Sequence, residues 1–336
     1  MPGEVDVLSA YLPVDRAHAL ARGETLPSRT QGAVLFADIS GFTPLTEALA
    51  RQFGPRRGAE ELTRRLNQVY DALVAEIHRH GGSVIGFSGD AMTCWFDEKA
   101  EGGRMKDEED LSYRLPPSPL RATACALAMQ NTIQAFAQVP LPSAPPIALT
   151  MKVAVATGSA RRFAVGDPAI QLLDVLAGTT LARMAAAEHL AQRGEVIGDA
   201  STIATLEGRA EVMEWRVDEA TGERFAVIGG LQAAHLAHAE PATPAALTAD
   251  QCRPWLLPVI YERLRSGQGE FLTELRLAVA LFVRFEGIDY DGDEVAGEKL
   301  NAFIRRAQTV LAKFEGVLLQ LTTGDKGSYL HAAFGA

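Results

Sequence analysis

The stretch Ala33-Val34-Leu35-Phe36-Ala37-Asp38-Ile39-Ser40-Gly41-Phe42-Thr43 decides how this chain folds. Its first five residues form a short, continuous apolar run, which is typical of a strand in the middle of a buried sheet. Asp38 ends that strand, and Pro44 opens a helix that we expect to reach about Arg51, with Thr43 as its N-cap. A carboxylate and the start of a helix are therefore expected next to each other at one end of the strand.

A second acidic motif follows a helical segment. Residues Ser83–Phe87 and Met92–Phe96 are predicted to be two strands joined by a turn at Ser88-Gly89-Asp90. If the first strand lies between its neighbours, Asp38 and Asp90 meet at one edge of the sheet. Neither motif contains a basic partner, so the two carboxylates would repel one another unless a cation neutralises them.

The chemistry of these two motifs points to a nucleotide. Carboxylate oxygens suit Mg²⁺ or Mn²⁺. The backbone N–H groups of Ser40-Gly41-Phe42-Thr43 lead into a helix, and a helix N-terminus can hold phosphate. Metal-binding carboxylates beside a phosphate site indicate nucleoside triphosphate chemistry.

The remaining pattern predicts an α+β fold, with helices on one face of a mixed, mostly antiparallel sheet related to the split βαβ plan. A helical stripe covers 59–80, and helices are predicted at 120–137 and 179–192. After a Pro-rich stretch at 140–146, strands are predicted at 147–156, 159–165 and 171–176, with a hairpin at 212–217 and 223–228.

The pattern then begins again. Residues Leu281–Ile288 echo Leu35–Phe42, and a helix at 296–314 and a strand–turn–strand unit ending at Phe334 follow. We therefore predict an internal repeat. The predicted parts are an N-terminal extension (1–30), a first domain (31–230), a connector (231–274) and an incomplete second copy (275–336). Since the second copy stops after its third strand, we expect the chain to be a piece of a longer protein.

Composition excludes some classes of protein. The chain has 336 residues and a formal net charge of −10, which argues against nucleic-acid binding and against binding to anionic lipid. No apolar run is long enough to cross a membrane. The three cysteines, Cys94, Cys125 and Cys252, form no C-x-x-C pair. They indicate reduced thiols and a cytoplasmic location.

The two acidic motifs resemble those of a known family. Phe36–Thr43 is similar to the first metal motif of class III nucleotidyl cyclases, and Gly82–Asp90 is similar to their second. The repeat with its connector resembles the tandem-domain soluble adenylyl cyclases. The resemblance covers about 30–230 and, for the truncated copy, 275–336. It implies a cyclase-homology domain of ferredoxin-like fold.

The resemblance implies specific roles for residues of the first domain. Asp38 and Asp90 would bind two Mg²⁺ or Mn²⁺ ions, and the Ile39 carbonyl would complete one coordination shell. Lys152, within Leu149–Ala154, matches the strand lysine that meets the triphosphate of ATP. A cation there offsets the charge that builds up on the pyrophosphate leaving group.

The resemblance also implies that the second domain acts as the partner of the first in a pseudo-dimer. Lys326, within Gly324–Gly327, matches a purine-reading lysine and favours adenine over guanine. Arg284 takes the place of Asp38, so the second copy cannot hold metals in the same way. The register of this copy leaves two counterparts of Asp90 open, Asp325 and Ser328.

Three positions depart from the family pattern. The asparagine and the arginine that stabilise the transition state are replaced by Ala182 and Ala186, and Arg183 lies one helical turn from the required position. Gly86 stands where bicarbonate-responsive relatives have a lysine, which argues against activation by bicarbonate.

Three functions follow as expectations, of which the last is a signalling or dimerisation scaffold that binds no ligand. The first is an adenylyl cyclase that converts ATP to cyclic AMP and pyrophosphate, with inactivity of this piece on its own left open. The second is a regulatory module that binds ATP and metal without turnover. Relatives often continue into further C-terminal regulatory domains.

Overall fold

The computed structural model of the chain describes residues 8–98, 115–141, 144–232, 245, 247–267, 277–324 and 327–335. Its helices are α1 (Val14–Ala21), α2 (Phe42–Phe53), α3 (Pro55–Arg79), α4 (Ser118–Ile133), α5 (Thr179–Leu190), α6 (Ala200–Thr205), α7 (Ala249–Cys252), α8 (Pro258–Arg265) and α9 (Ala296–Ala312). Its strands are β1 (Arg29–Ser40), β2 (Ser83–Ser88), β3 (Ala91–Asp97), β4 (Val139–Leu141), β5 (Ala144–Ile147), β6 (Thr150–Asp167), β7 (Gln171–Ala177), β8 (Val196–Asp199), β9 (Ala210–Val217), β10 (Arg224–Leu231), β11 (Val279–Phe285), β12 (Gly316–Gly324) and β13 (Gly327–Phe334).

The chain divides into two compact units. The long-sheet unit comprises Gln31–Gly158 and Arg183–Ala242, and the short-sheet unit comprises Met1–Thr30, Ser159–Ala182 and Thr243–Ala336. Each unit is assembled from separate segments of the chain. The domain limits at residues 30, 230 and 274 remain a prediction.

The long-sheet unit carries its strands in the order β2-β3-β1-β6-β8-β10-β9. The pairs β2–β3, β3–β1, β8–β10 and β10–β9 are antiparallel, whereas β6 and β8 run in parallel. Strand β1 has β3 on one side and β6 on the other, and Ala33, Val34 and Leu35 are fully buried. The predicted central strand is therefore confirmed, with longer bounds.

Helices α2, α3 and α4 cover the apolar residues of this sheet. In α3 the predicted stripe is confirmed, since Val69, Leu73 and Ile77 are buried. They share one core with residues such as Leu35 on β1 and Cys94 on β3. This core holds β1 and the β2–β3 hairpin in a fixed arrangement.

Two strand predictions were wrong. Residues 150–156 of the first predicted strand and all of the second one, 159–165, form a single strand, β6, whose backbone stays extended through Gly158. Ile147 belongs to the short strand β5, which pairs with β4 inside the Pro-rich stretch.

The short-sheet unit contains a three-stranded antiparallel sheet in the order β11-β13-β12. This order matches β1-β3-β2 of the other unit, so the partial second copy predicted from sequence is present. Helix α9 buries Ala296, Leu300 and Ile304 in a core with Phe163 and Leu330. Within the same unit, β7 pairs antiparallel with the second half of β6.

The α+β class with a mostly antiparallel sheet is confirmed by these pairings. Among the described residues, no helix is both long enough and apolar enough to span a bilayer.

Candidate functional site

The register of β1 against β3 brings the two acidic motifs together. Asp38 pairs with Ala91, the residue directly after Asp90, and the Ile39 N–H donates to the Asp90 carbonyl at 3.2 Å. Both carboxylates thus lie at the same end of neighbouring strands, and the Asp90 charge contributes to raising the pKa of Asp38. The two acidic motifs therefore lie next to each other in the structure, as the sequence predicts.

Asp38 lies in an environment that disfavours its charged form. Partial burial raises the pKa of its carboxyl above the usual value. The ammonium of Lys152 lowers this pKa, whereas the negative charges of Asp90 and Glu188 raise it, and the net direction is upward. A carboxylate held in this way gains from a nearby cation more than an isolated, solvated one does.

Lys152 on β6 supplies one such positive charge. Its Nζ lies 3.6 Å from Asp38 Oδ2, and it also forms an ion pair with Glu188 on α5. The side chains of Lys152 and Glu188 are 23% and 16% exposed, so the pair is screened less than a surface pair. Sequence reasoning identified Lys152 but missed Glu188.

The segment after Asp38 turns directly into α2. Gly41 is the N-cap, with φ of 114°, and no side chain caps the helix. The predictions that Thr43 is the N-cap and that Pro44 opens the helix were wrong. The left-handed backbone at Gly41 favours glycine, and the helix begins at Phe42, two residues before Pro44. A Cβ at Gly41 would also collide with the Ala148 carbonyl oxygen.

Tyr70 on α3 is a second residue that sequence reasoning missed. Its hydroxyl oxygen lies 3.5 Å from the Gly89 carbonyl oxygen, and its ring packs edge-on against Phe87. Burial, followed by the charges of Asp90 and Asp38, raises the pKa of Tyr70 to about 12. Its position in the helical stripe predicted only a core residue, whereas the structure places it against the turn that carries Asp90.

The residues present fit a magnesium-type cation only in part. In the described portion of the chain, no group of three or more His, Cys, Asp and Glu side chains could hold a metal. Asp38 and Asp90 are two hard-oxygen donors, and their mutual repulsion disfavours the charged form of Asp38. Magnesium is commonly held by one or two carboxylates together with substrate phosphates and waters, so two carboxylates suffice for that mode of binding.

Arg183 does not point its guanidinium to this site. Its Nε donates to Asp199 at 2.8 Å and its Nη2 donates to the Thr157 carbonyl at 2.7 Å. Asp199 is almost fully buried and also caps α6. The partners of Arg183 thus give it a structural role, in agreement with its exclusion from the predicted site.

The second copy carries no equivalent acidic pair at the described positions. Arg284 pairs in register with Tyr329, just as Asp38 pairs with Ala91. This register makes Ser328 the counterpart of Asp90. The hydroxyl of Ser328 lies 2.9 Å from that of Tyr290. Lys326 and Asp325 lie outside the described residues.

A cavity of about 330 Å³ adjoins this part of the short-sheet unit. Its lining includes Gly178, Thr179, Tyr290, Asp291 and Ser328. Asp291 accepts a hydrogen bond from the Thr179 N–H at 2.7 Å, at the start of α5. All of its lining residues belong to the short-sheet unit, and none of them is a member of the group formed by Asp38, Asp90, Lys152 and Glu188 (the Asp38 cluster).

Sequence comparisons connect the chain to cyclases. It is 23% identical to mouse adenylate cyclase type 10 over 361 residues, an alignment that covers 98% of this chain and 21% of that protein. Over 100 residues, 28% of this chain and 6% of the relative, it is 41% identical to human adenylate cyclase type 10. The chain thus spans about a fifth of the mouse relative's length. No family model matches the sequence.

Solved structures of cyclases are also similar. The guanylyl cyclase Cya2 aligns with a TM-score of 0.49 and 20% identity over 63% of this chain and 98% of its own. The adenylyl cyclase CyaB from P. aeruginosa aligns with a TM-score of 0.45 and 18% identity over 60% and 94% of the two chains. The sequence matches confirm the resemblance to class III nucleotidyl cyclases.

Proposed function

Since this chain resembles the class III nucleotidyl cyclases, we propose that it is the catalytic portion of an adenylyl cyclase, which converts ATP to cyclic AMP and pyrophosphate. The observation that carries the proposal is the joint placement of Asp38, Asp90 and Lys152 at one end of the sheet, beside the start of α2. Carboxylates for cations and an ammonium for phosphate are the groups that this reaction needs.

Asp38, Asp90 and the Ile39 carbonyl would hold two Mg²⁺ or Mn²⁺ ions. When bound, such ions supply charge neutralisation for the triphosphate and activate the attacking hydroxyl. Lys152 binds the triphosphate and offsets the negative charge that develops on the leaving pyrophosphate. The N–H groups of Ser40, Gly41, Phe42 and Thr43 lie at the start of α2 and orient phosphate oxygens.

The second copy is proposed as the pseudo-dimer partner that reads the base. Lys326 is its proposed purine contact, and it is the reason for preferring ATP over GTP. We also propose a cytoplasmic location, because the cysteines are free thiols and the chain resembles the soluble adenylyl cyclases.

A non-catalytic ATP- and metal-binding module is the second candidate. It is favoured by Ala182 and Ala186, which have no side-chain donor at the positions where the family has its transition-state groups. The guanidinium of Arg183 is already held by Asp199 and the Thr157 carbonyl.

One assay separates these functions. The full chain is incubated with Mn²⁺ and either ATP or GTP, and cyclic nucleotide and pyrophosphate are measured. We expect cyclic AMP from ATP, and a loss of at least about 100-fold in Asp38→Asn, because this variant removes a carboxylate that is proposed to hold the ions that stabilise charge in the transition state. The exposed control variant Asp71→Asn keeps its activity.

Binding of ATP without any product would favour the regulatory module. Product formation that survives in Asp38→Asn would contradict the proposed site.

A further inference from the structure

Glu188 is the one member of the Asp38 cluster that no motif predicts. It lies on α5, and its carboxylate forms an ion pair with the ammonium of Lys152. The same ammonium lies 3.6 Å from Asp38 Oδ2. Lys152 is therefore held between two carboxylates, of which only Asp38 belongs to the proposed metal site.

We propose that Glu188 is a positioning residue, which holds the Lys152 ammonium beside Asp38 and so sets the balance between divalent-cation binding and triphosphate binding. This inference rests on the proposed function, because it assigns Lys152 to phosphate and Asp38 to metal.

The charges of the cluster explain why Glu188 affects both ligands. The Lys152 ammonium lies between Asp38 and Glu188, and the charges of both Asp90 and Glu188 act on the Asp38 carboxylate. An excess of negative charge favours a divalent cation and opposes a triphosphate. Glu188 also competes with Asp38 for Lys152, and this competition leaves Asp38 more available to a cation.

Loss of the Glu188 charge would therefore shift the two affinities in opposite directions. In Glu188→Gln the ammonium has Asp38 as its remaining carboxylate partner, so it competes more strongly with a cation there. The same ammonium, no longer neutralised by Glu188, attracts a polyphosphate more strongly. A variant that merely loosened the fold would weaken both ligands.

The experiment measures the two ligands separately on the full chain. Mn²⁺ binding without nucleotide is followed by the electron paramagnetic resonance of free Mn²⁺, and inorganic tripolyphosphate binding without metal is followed by calorimetry. In Glu188→Gln we expect Mn²⁺ to bind about two- to fivefold more weakly and tripolyphosphate to bind more tightly by a similar factor, since partly exposed ion pairs have coupling of this size.

Two further variants test whether Glu188 changes ligand affinity through the Lys152 ammonium. In the Lys152→Met background, Glu188→Gln should change Mn²⁺ affinity less than it does alone, because its action passes through the ammonium. Glu61→Gln is the matched control: Glu61 is 23% exposed and is paired with Arg64 and Arg65 on α3. It should leave the binding of both probes unchanged.

The inference would be overturned if Glu188→Gln bound Mn²⁺ and tripolyphosphate with wild-type affinity. It would also be overturned if the variant bound both probes more weakly. If the wild type binds no Mn²⁺, unchanged tripolyphosphate binding in Glu188→Gln overturns it and tighter binding supports it. Opposite shifts in a chain that forms no cyclic nucleotide would support the role of Glu188 and contradict the cyclase proposal, so the two failures are distinguishable.

Discussion

Asp38, the proposed metal ligand, lies in surroundings that make its charged form costly for stability. Its carboxyl is partly buried, and the acids Asp90 and Glu188 lie within electrostatic reach. These effects outweigh the ammonium of Lys152, so the pKa of Asp38 is raised. A folded-state pKa above the unfolded value means that the charged form of this acid destabilises the fold at neutral pH.

The upward shift of the Asp38 pKa predicts how the Asp38→Asn substitution changes the stability of the fold. Above the raised pKa the folded state carries the full penalty of the charge, whereas well below the ordinary value of about 3.9 both states are protonated and the penalty is absent. Asp38→Asn should therefore raise the free energy of unfolding at pH 7, and this gain should shrink at pH 4. Urea denaturation at the two pH values measures it.

The exposed variant Asp71→Asn serves as the control and should change little at either pH. An Asp38→Asn protein that is less stable than wild type at pH 7 would show that Asp38 is net stabilising and would contradict this account of its surroundings.

Residues with a local pattern were predictable and residues joined by tertiary contact were not. Asp38 directly follows a run of apolar residues and Asp90 lies in a turn between two predicted strands, so the sequence alone predicts where both residues lie. Glu188 meets Lys152 only through the packing of α5, and Tyr70 meets the Gly89 turn only through the packing of α3. No spacing along the chain encodes either contact.

At the scale of elements, the periodic patterns were reliable and the boundaries were less so. The stripe of α3 and the β2–β3 hairpin were predicted within a few residues. Strand β6 was split in the prediction because an isolated glycine usually marks a break, yet its backbone stays extended through Gly158. Helix α2 began earlier than expected because Gly41 adopts a positive φ.

One buried charge cluster links elements of the short-sheet unit. Arg162 on β6 forms ion pairs with Asp174 on β7 and Asp15 on α1, and Arg16 on α1 donates to Asp174 at 2.9 Å. The side chains of Arg162 and Asp174 are each 3% exposed. Burial alone would raise the pKa of Asp174, but the charges and hydrogen bonds of Arg162 and Arg16 outweigh it and the pKa is lowered.

Arg162→Met should destabilise this unit by about 3–5 kcal/mol, because it leaves a buried carboxylate with one of its partners missing. Urea unfolding of the full chain at pH 7 measures the change. Arg305→Met removes the half-exposed partner of Asp167 in the same unit and should cost at most about 1 kcal/mol. Equal, small effects of both variants would contradict a stabilising role for the buried cluster.

At the scale of the whole molecule, the sequence predicted the repeat, and the structure shows it as the same strand order in two sheets, β1-β3-β2 and β11-β13-β12. The division into units was not predictable from linear boundaries, because each unit draws on separate segments of the chain. Such an assembly depends on long-range pairing, which local patterns do not encode. Arg284 stands in the second copy where the first copy has Asp38, so the two copies differ at the proposed metal site.

The central claim is that Asp38 and Asp90 together bind the cations that accompany a purine triphosphate. The most direct measurement is a crystal structure of the full chain with Mn²⁺ and a non-cyclisable ATP analogue, recorded at a wavelength where manganese scatters anomalously. We expect anomalous peaks within coordination distance of both carboxylates and a phosphate beside Lys152, with the peaks absent in Asp38→Asn. A bound nucleotide whose manganese lies away from both carboxylates would contradict it.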